Sequence, residues 1–419
     1  MNPEPSGLAP APAPSYFHSE PGTTWSNVDE LGRLLPSTQP LVTLANWQED
    51  PHLRWSFQHM RELMPSQVIH GTDTPRALPE RLTDLTTVPV PGLGWATTVE
   101  DVLAATQTDG VLVLHDGQVV MEQYTAPMVR RTRHLVMSVS KSIVSCVAAT
   151  LHADGLLDPQ APVEAYVPEL ADSGYTGATV RDVLDMRTGV RFRETYLDPL
   201  SEVRVMERSM GWAPRNHGDP LGAYPYILTT VRESEHGDVF TYRSMDTDTL
   251  GWICERAAGA RMADLVSERI WRPMGAFHDA EVTADPLGTA IHDGGVSTTL
   301  RDLARFGQML LDHGLVEGRQ VVPSSWVEEA LRPPADVRDA FARSENEPFL
   351  PGGWYRNQFW FVPGDHGPIL LCLGIHGQMV FVEHATRTVG VKLSSWPVPQ
   401  DIDKLLGTIA TFRAVARSL

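Results

Sequence analysis

The chain has 419 residues, 42% of them hydrophobic and 21% charged, with a formal net charge of -18. That length suits one large unit of two lobes or two conventional domains. The acidic balance argues against a nucleic-acid partner or an anionic membrane surface.

The opening stretch, residues 1–45, recurs in Pro, Gly and Ser without apolar periodicity and reads as an extended, Pro-rich extension. Its first Lys or Arg is Arg33, and no apolar block follows a basic start, so a secretory signal is not expected. No apolar run approaches the length of a membrane span. Cys146, Cys254 and Cys372 lie far apart without metal-ligand spacing, which fits buried thiols in a reducing compartment. The expected location is the cytoplasm.

"HLRWSFQHMREL" places Leu53, Phe57, Met60 and Leu63 on one helical face. "GVLVLHDGQVVMEQY" reads as two strands around an Asp116-Gly117 turn. A helix is predicted from Ser138 through about Ala153, ending at Gly155. From about Pro162 to Asp285 short helical patterns are joined by loops rich in Gly, Pro and Asp. Strand signals return in "ILLCLGIHGQMVFVEH" and "TVGVKLSS", and Leu405, Ile409, Phe412 and Ala416 mark a closing helix. Early strands, a helical middle and late strands predict an α/β (α+β) fold. An antiparallel sheet built from both chain ends, residues 46–162 and 286–419, is flanked by helices and carries an inserted helical lobe, residues 163–285.

The stretch "RHLVMSVSKSIVS" carries the chemistry. Lysine occurs only at Lys141, Lys392 and Lys404, yet Lys141 stands three residues after Ser138 at a helix start. Residues i and i+3 share a helical face, so this amine can reach that hydroxyl. Desolvation beside the positive helix end would push Lys141 toward its neutral form, able to take the serine proton. The bland alternative has Ser138 capping the helix and Lys141 snorkelling to solvent. Further along, "FTYRSMDTDTLGW" supplies Tyr242-Arg243-Ser244 before a helix. "LCLGIHGQ" supplies Gly374 and Gly377 at a strand, where the Ile375 N–H could donate to a bound carbonyl.

Ser-x-x-Lys, then Tyr-x-Ser, then a Gly-x-x-Gly strand resembles the serine β-lactamase and penicillin-binding-protein superfamily. Within it the chain looks closest to the 6-aminohexanoate-dimer hydrolases, nylon-oligomer enzymes of class C β-lactamase-like fold. "HLVMSVSKS", "VPELADSGY", "YLDPLSEV", "TTLRDLARFGQMLLD", "GIHGQ" and "VKLSSWP" carry that likeness. The resemblance implies a serine amidase or esterase, working through an acyl-enzyme on a small linear substrate, with no cofactor or metal and as a homodimer. It implies Ser138 as nucleophile, Lys141 as its proton partner, and Tyr242 as the phenol serving the leaving group, its pKa lowered by Lys141. The N–H groups of Ser138 and Ile375, beside Gly374, would form the oxyanion hole. Tyr196 and Trp212 would close over the substrate. Glu207 and Asp293 fall where relatives carry an aspartate and an asparagine, leaving recognition of a substrate ammonium open. Cys372-Leu373-Gly374 replaces the Lys-Thr-Gly of β-lactamases, which weakens a β-lactamase or D-Ala carboxypeptidase reading and favours an amidase or carboxylesterase. His292 and His376 read as hydrogen-bonded structural residues.

Overall fold

A computed structural model describes residues 41–419. The extension expected over residues 1–45 therefore lies almost wholly outside the described residues. The core is a seven-stranded antiparallel sheet. Its strands are β1 (Thr108–His115), β2 (Gln118–Tyr124), β3 (Trp354–Arg356), β4 (Phe359–Pro363), β5 (Pro368–Gly374), β6 (Gln378–Glu383) and β7 (Thr388–Ser394). Their spatial order is β2-β1-β7-β6-β5-β4-β3, so the two ends of the chain meet where β1 pairs with β7.

Local chemistry explains these pairings. Asp116 and Gly117 both take positive φ, 47° and 77°, the geometry a two-residue hairpin needs to match the twist of β1 and β2. Both faces of β7 are buried, and successive side chains point to opposite faces. On one side Val389 meets Gly307 of helix α4 (Leu300–Leu311), where an added Cβ would lie 2.5 Å from Val389 Cγ1. On the other, Gly390 lies under the Phe412 ring of helix α5 (Ile402–Ser418), where a Cβ would meet that ring at 2.3 Å. The sheet is thus sandwiched between helices, and the closing helix forms as its periodicity predicts.

Helix α1 (Val139–Ala153) is buried on every side from Val139 to Leu151, which marks it as a core helix. It ends where Gly155 adopts φ 73° and the Leu156 N–H returns to the Leu151 carbonyl. Helices α2 (Glu202–Met210) and α3 (Ser244–Ala258) belong to the helical middle of the chain, and α3 packs on α1. A second, four-stranded sheet joins Ser66–Ile69, Ala280–Thr283, Val296–Thr298 and His134–Leu135, in that order. It delivers the chain to the start of α1, with the Val136 N–H bonded to the Val296 carbonyl at 2.9 Å.

The single helix expected over "HLRWSFQHMREL" forms as two short pieces, Leu53–Ser56 and Met60–Leu63. The Phe57 carbonyl accepts the Leu135 N–H at 2.7 Å, so a strand partner takes the acceptor that a continuous helix would use. Phe57 itself is buried, with its ring set edge-on to His134 and His376.

Candidate active site

The residue before α1, Met137, sits in the left-handed region at φ 48°, unusual for a side chain of its size. This sharp turn brings Ser138 to the helix N-cap, but its hydroxyl makes no capping bond. Instead the Lys141 ammonium donates to Ser138 Oγ at 2.9 Å, to Ser244 Oγ at 3.0 Å and to the Asp293 carbonyl at 2.8 Å. Lys141 is only 1% exposed, so it does not snorkel. Both halves of the bland alternative fail.

Tyr242 enters from the turn before α3. Its ring lies 5.2 Å from Lys141 Nζ and packs at 5.2 Å on Trp360. An alcohol and an amine from the start of α1 and a phenol from the turn before α3, two chain regions, therefore meet in one cluster.

The charge state of this cluster differs from expectation. Burial lowers the Lys141 pKa, but Tyr242, Asp293, Glu194 and Asp248 act together in the opposite direction and leave it above its ordinary value. The surrounding acids thus favour the ammonium form of Lys141 over the neutral amine. Burial likewise dominates at Tyr242 and raises its pKa; Lys141 acts in the lowering direction without winning. The acids around Lys141 explain the reversal. Sequence reasoning passed over two of them. Glu194 accepts the Ser244 N–H and, at 2.8 Å, the Tyr196 hydroxyl. Asp248 is fully buried and accepts the His292 N–H at 2.9 Å, and burial and Asp293 both raise its pKa. Glu194 was legible as the neighbour of Tyr196 in "FRETYLDP". Asp248, inside α3, carried no such signal.

Above the cluster lies a cavity. Ser138, Tyr196, Glu207, Trp212, Asp293 and Ile375 all line it, so six of the nine residues singled out from the sequence share one wall. Lys141, Tyr242 and Gly374 are not part of the lining; Lys141 is joined to it by its hydrogen bond to Ser138. Helix α2 adds Val203, Met206 and Met210, an apolar stripe spaced at helical intervals that was not read as site-forming. Glu207 from the same helix accepts a hydrogen bond from Arg204. Its burial, reinforced by Asp293 and Glu194 and opposed by Arg204 and Gln48, raises its pKa to about 7. Free space in this closed arrangement is about 10 Å³, roughly what one water molecule occupies. Trp212 is buried against Gly294, where a Cβ would lie 2.9 Å from the indole.

The Gly-x-x-Gly segment has a steric cause. A Cβ on Gly374 would come within 2.5 Å of the Val136 carbonyl oxygen and 3.0 Å of Met137 Cβ, directly before Ser138. A Cβ on Gly377, at φ 91°, would meet the Trp396 ring at 2.2 Å. Side-chain-free backbone is what lets the end of β5 lie against the serine. His376 is buried, with Nδ1 donating to the Trp396 carbonyl at 2.7 Å and its pKa lowered to about 4 by burial. His292 shares a 3.1 Å hydrogen bond with the Tyr224 hydroxyl, and burial lowers its pKa too. Both are structural histidines.

A Beta-lactamase family model matches residues 95–410. The chain belongs to the beta-lactamase family. It is 42% identical over 359 residues to the 6-aminohexanoate-dimer hydrolase of Paenarthrobacter ureafaciens, covering 85% of this chain and 89% of that protein. A solved structure described as a candidate 6-aminohexanoate-dimer hydrolase from Bacillus anthracis superposes with a TM-score of 0.83 at 26% identity, over 91% of this chain and 98% of that one. The octameric penicillin-binding protein homologue of Pyrococcus abyssi shares the fold alone, at 15% identity and a TM-score of 0.57, over 76% of this chain and 75% of its own. The beta-lactamase-family member described here is a serine hydrolase of mixed α/β architecture. Among the described residues no helix is long and apolar enough to cross a membrane.

Proposed function

We propose that this hydrolase cleaves amide bonds of small linear substrates bearing a cationic end, with the 6-aminohexanoate dimer as the leading candidate. The observation that carries the proposal is the Ser138–Lys141–Tyr242 cluster under a cavity walled by Glu207 and Asp293. Two acids favour an ammonium on the substrate, and the Val203, Met206 and Met210 stripe favours a methylene chain before it. The 42% identity to an enzyme of that name supports the substrate class.

The charge states define the proton route. Ser138 attacks the carbonyl carbon as its proton passes to the Tyr242 oxygen, while the phenol hands its own proton to the leaving nitrogen. Lys141 stays an ammonium and stabilises the negative charge that passes over the serine and phenol oxygens. The N–H groups of Ser138 and Ile375 receive the carbonyl oxygen as it becomes an oxyanion. Water then attacks the acyl-enzyme by the reverse relay, and the acid product leaves. Tyr196 serves as a hydrogen-bonding partner for the substrate amide, and Trp212 as part of the cover.

A second reading, a short-chain carboxylesterase, is favoured by Cys372-Leu373-Gly374 standing in place of the cationic third motif. Turnover of the aminohexanoate dimer, short p-nitrophenyl esters, D-amino-acid amides and a chromogenic cephalosporin separates these readings. The expected ranking puts the dimer and the esters above the other two. Cephalosporin as the preferred substrate would replace the amidase reading with a β-lactamase. In Ser138→Ala, turnover should fall about 10⁴-fold or more with the fold intact.

A further inference from the structure

The cavity wall that holds Ile375 depends on a buried side chain with no role assigned so far. After β5 ends at Gly374, the chain turns through Ile375, His376 and Gly377 and enters β6 at Gln378. Two consecutive residues of this turn are left-handed, His376 at φ 60° and Gly377 at φ 91°. Such a turn is not held by a regular ladder and needs other bonds to fix it.

Gln378 supplies them. Its side chain is only 1% exposed. Its Nε2 lies 3.3 Å from the Ile375 carbonyl, 3.1 Å from the His376 carbonyl and 2.8 Å from the Ser394 carbonyl. Its Oε1 accepts the Ser394 N–H at 3.1 Å. Three acceptors on one side and a donor on the other fix the amide orientation, because a flip would set an oxygen against three carbonyl oxygens. One amide therefore ties the two turn carbonyls to β7. From the far side, the His376 N–H donates to Pro399 and the Trp396 N–H donates to the His376 carbonyl, at 2.9 and 3.1 Å. Those outer bonds hold His376. Gln378 reaches back to Ile375 itself.

We infer that Gln378 is the positioning residue of the oxyanion site: its amide clamps the Ile375-His376 carbonyls to β7 and thereby aims the Ile375 N–H at the reacting oxygen. This rests on the reading of Ile375 as an oxyanion donor. A buried, fully bonded amide inside an apolar sheet stabilises no more than a well-packed hydrophobic side chain would, so geometric control is the gain it brings. A donor displaced by a fraction of an ångström loses its advantage in the transition state while leaving substrate binding nearly untouched.

The test uses Gln378→Met, which keeps length without hydrogen bonds, and Gln378→Glu, with kcat and KM followed on a p-nitrophenyl ester. Gln378→Met should lower kcat roughly 10–100-fold with KM within about twofold. Gln378→Glu should lose kcat at pH 8 and regain it toward pH 5, relative to the parent, as a protonated carboxyl recovers a donor. Parental kcat in folded Gln378→Met, or a Gln378→Glu ratio flat with pH, overturns the inference. If Gln378→Met does not fold, the pH profile of Gln378→Glu decides. Ser138→Ala run alongside separates the two levels: activity in that variant brings down the acyl-enzyme reading, whereas an inactive Ser138→Ala beside a fully active Gln378→Met brings down the Gln378 role alone.

Discussion

Lys141 and Asp293 meet twice: the ammonium donates to the Asp293 carbonyl at 2.8 Å, and Asp293 Oδ2 lies 3.6 Å from the same nitrogen. The aspartate therefore holds the amine both by its backbone and by its charge, in a site where neither group reaches solvent freely. This company favours the protonated form of Lys141, on which the proposed relay through Tyr242 relies.

Asp293→Asn keeps the carbonyl contact and removes the charge. The Lys141 pKa, which Asp293 helps to raise, should then fall. In the proposed relay the ammonium form is the working one, so activity should be present below that pKa and lost as pH rises through it. The alkaline limb of kcat should therefore move to lower pH, measured on an amide substrate between pH 7 and 11. An unmoved limb, or one moved upward, contradicts the assigned role of the ammonium.

Glu207 titrates near neutrality, with a pKa of about 7. Its carboxylate form, dominant above that value, is the one that would attract the proposed substrate ammonium. KM for the aminohexanoate dimer should therefore fall as pH rises from 6 to 8, while KM for an uncharged ester stays level. Glu207→Gln should abolish this dependence and raise KM for the dimer about tenfold, close to 1.4 kcal/mol. Equal effects on charged and uncharged substrates would show that Glu207 acts only through packing.

Glu194 joins the Ser244 N–H to the Tyr196 hydroxyl and lies in the field of Lys141. Glu194→Gln retains one acceptor oxygen and loses the charge. A roughly tenfold fall in kcat is expected, in line with the loss of a charge-assisted hydrogen bond. Steady-state kinetics on ester and amide substrates would measure it, and wild-type rates on both would remove Glu194 from the machinery.

Gly374→Ala places a methyl carbon against backbone at Val136, which cannot swing aside. The end of β5 must then retreat from Ser138. A kcat loss on the order of 10²-fold is expected, together with a lowered Tm. Unchanged kinetics would mean that the close approach is incidental.

The sequence carried the site better than its electrostatics. Ser138, Lys141 and Tyr242 could be paired because helical spacing and motif order are local properties, and Gly374 because close backbone approach demands a missing side chain. The hairpin at Asp116-Gly117 and the closing helix were legible for the same reason. The charge on Lys141 was not. It depends on Glu194, Asp248 and Asp293, which only the tertiary fold gathers around one nitrogen. The break between Leu53–Ser56 and Met60–Leu63 was hidden likewise, since the Phe57 carbonyl is claimed by a strand far along the chain.

The pairing of β1 with β7 also has a consequence for biosynthesis. Residues 108–115 emerge from the ribosome long before residues 388–394, yet the β1-β2 hairpin joins the rest of the sheet only through the late strand. A nascent chain can complete the serine, the lysine and the tyrosine and still lack the platform that carries Ile375. Hydrolytic competence should therefore arrive abruptly, near the close of translation, and a ribosome-stalled chain ending before residue 388 should be catalytically silent.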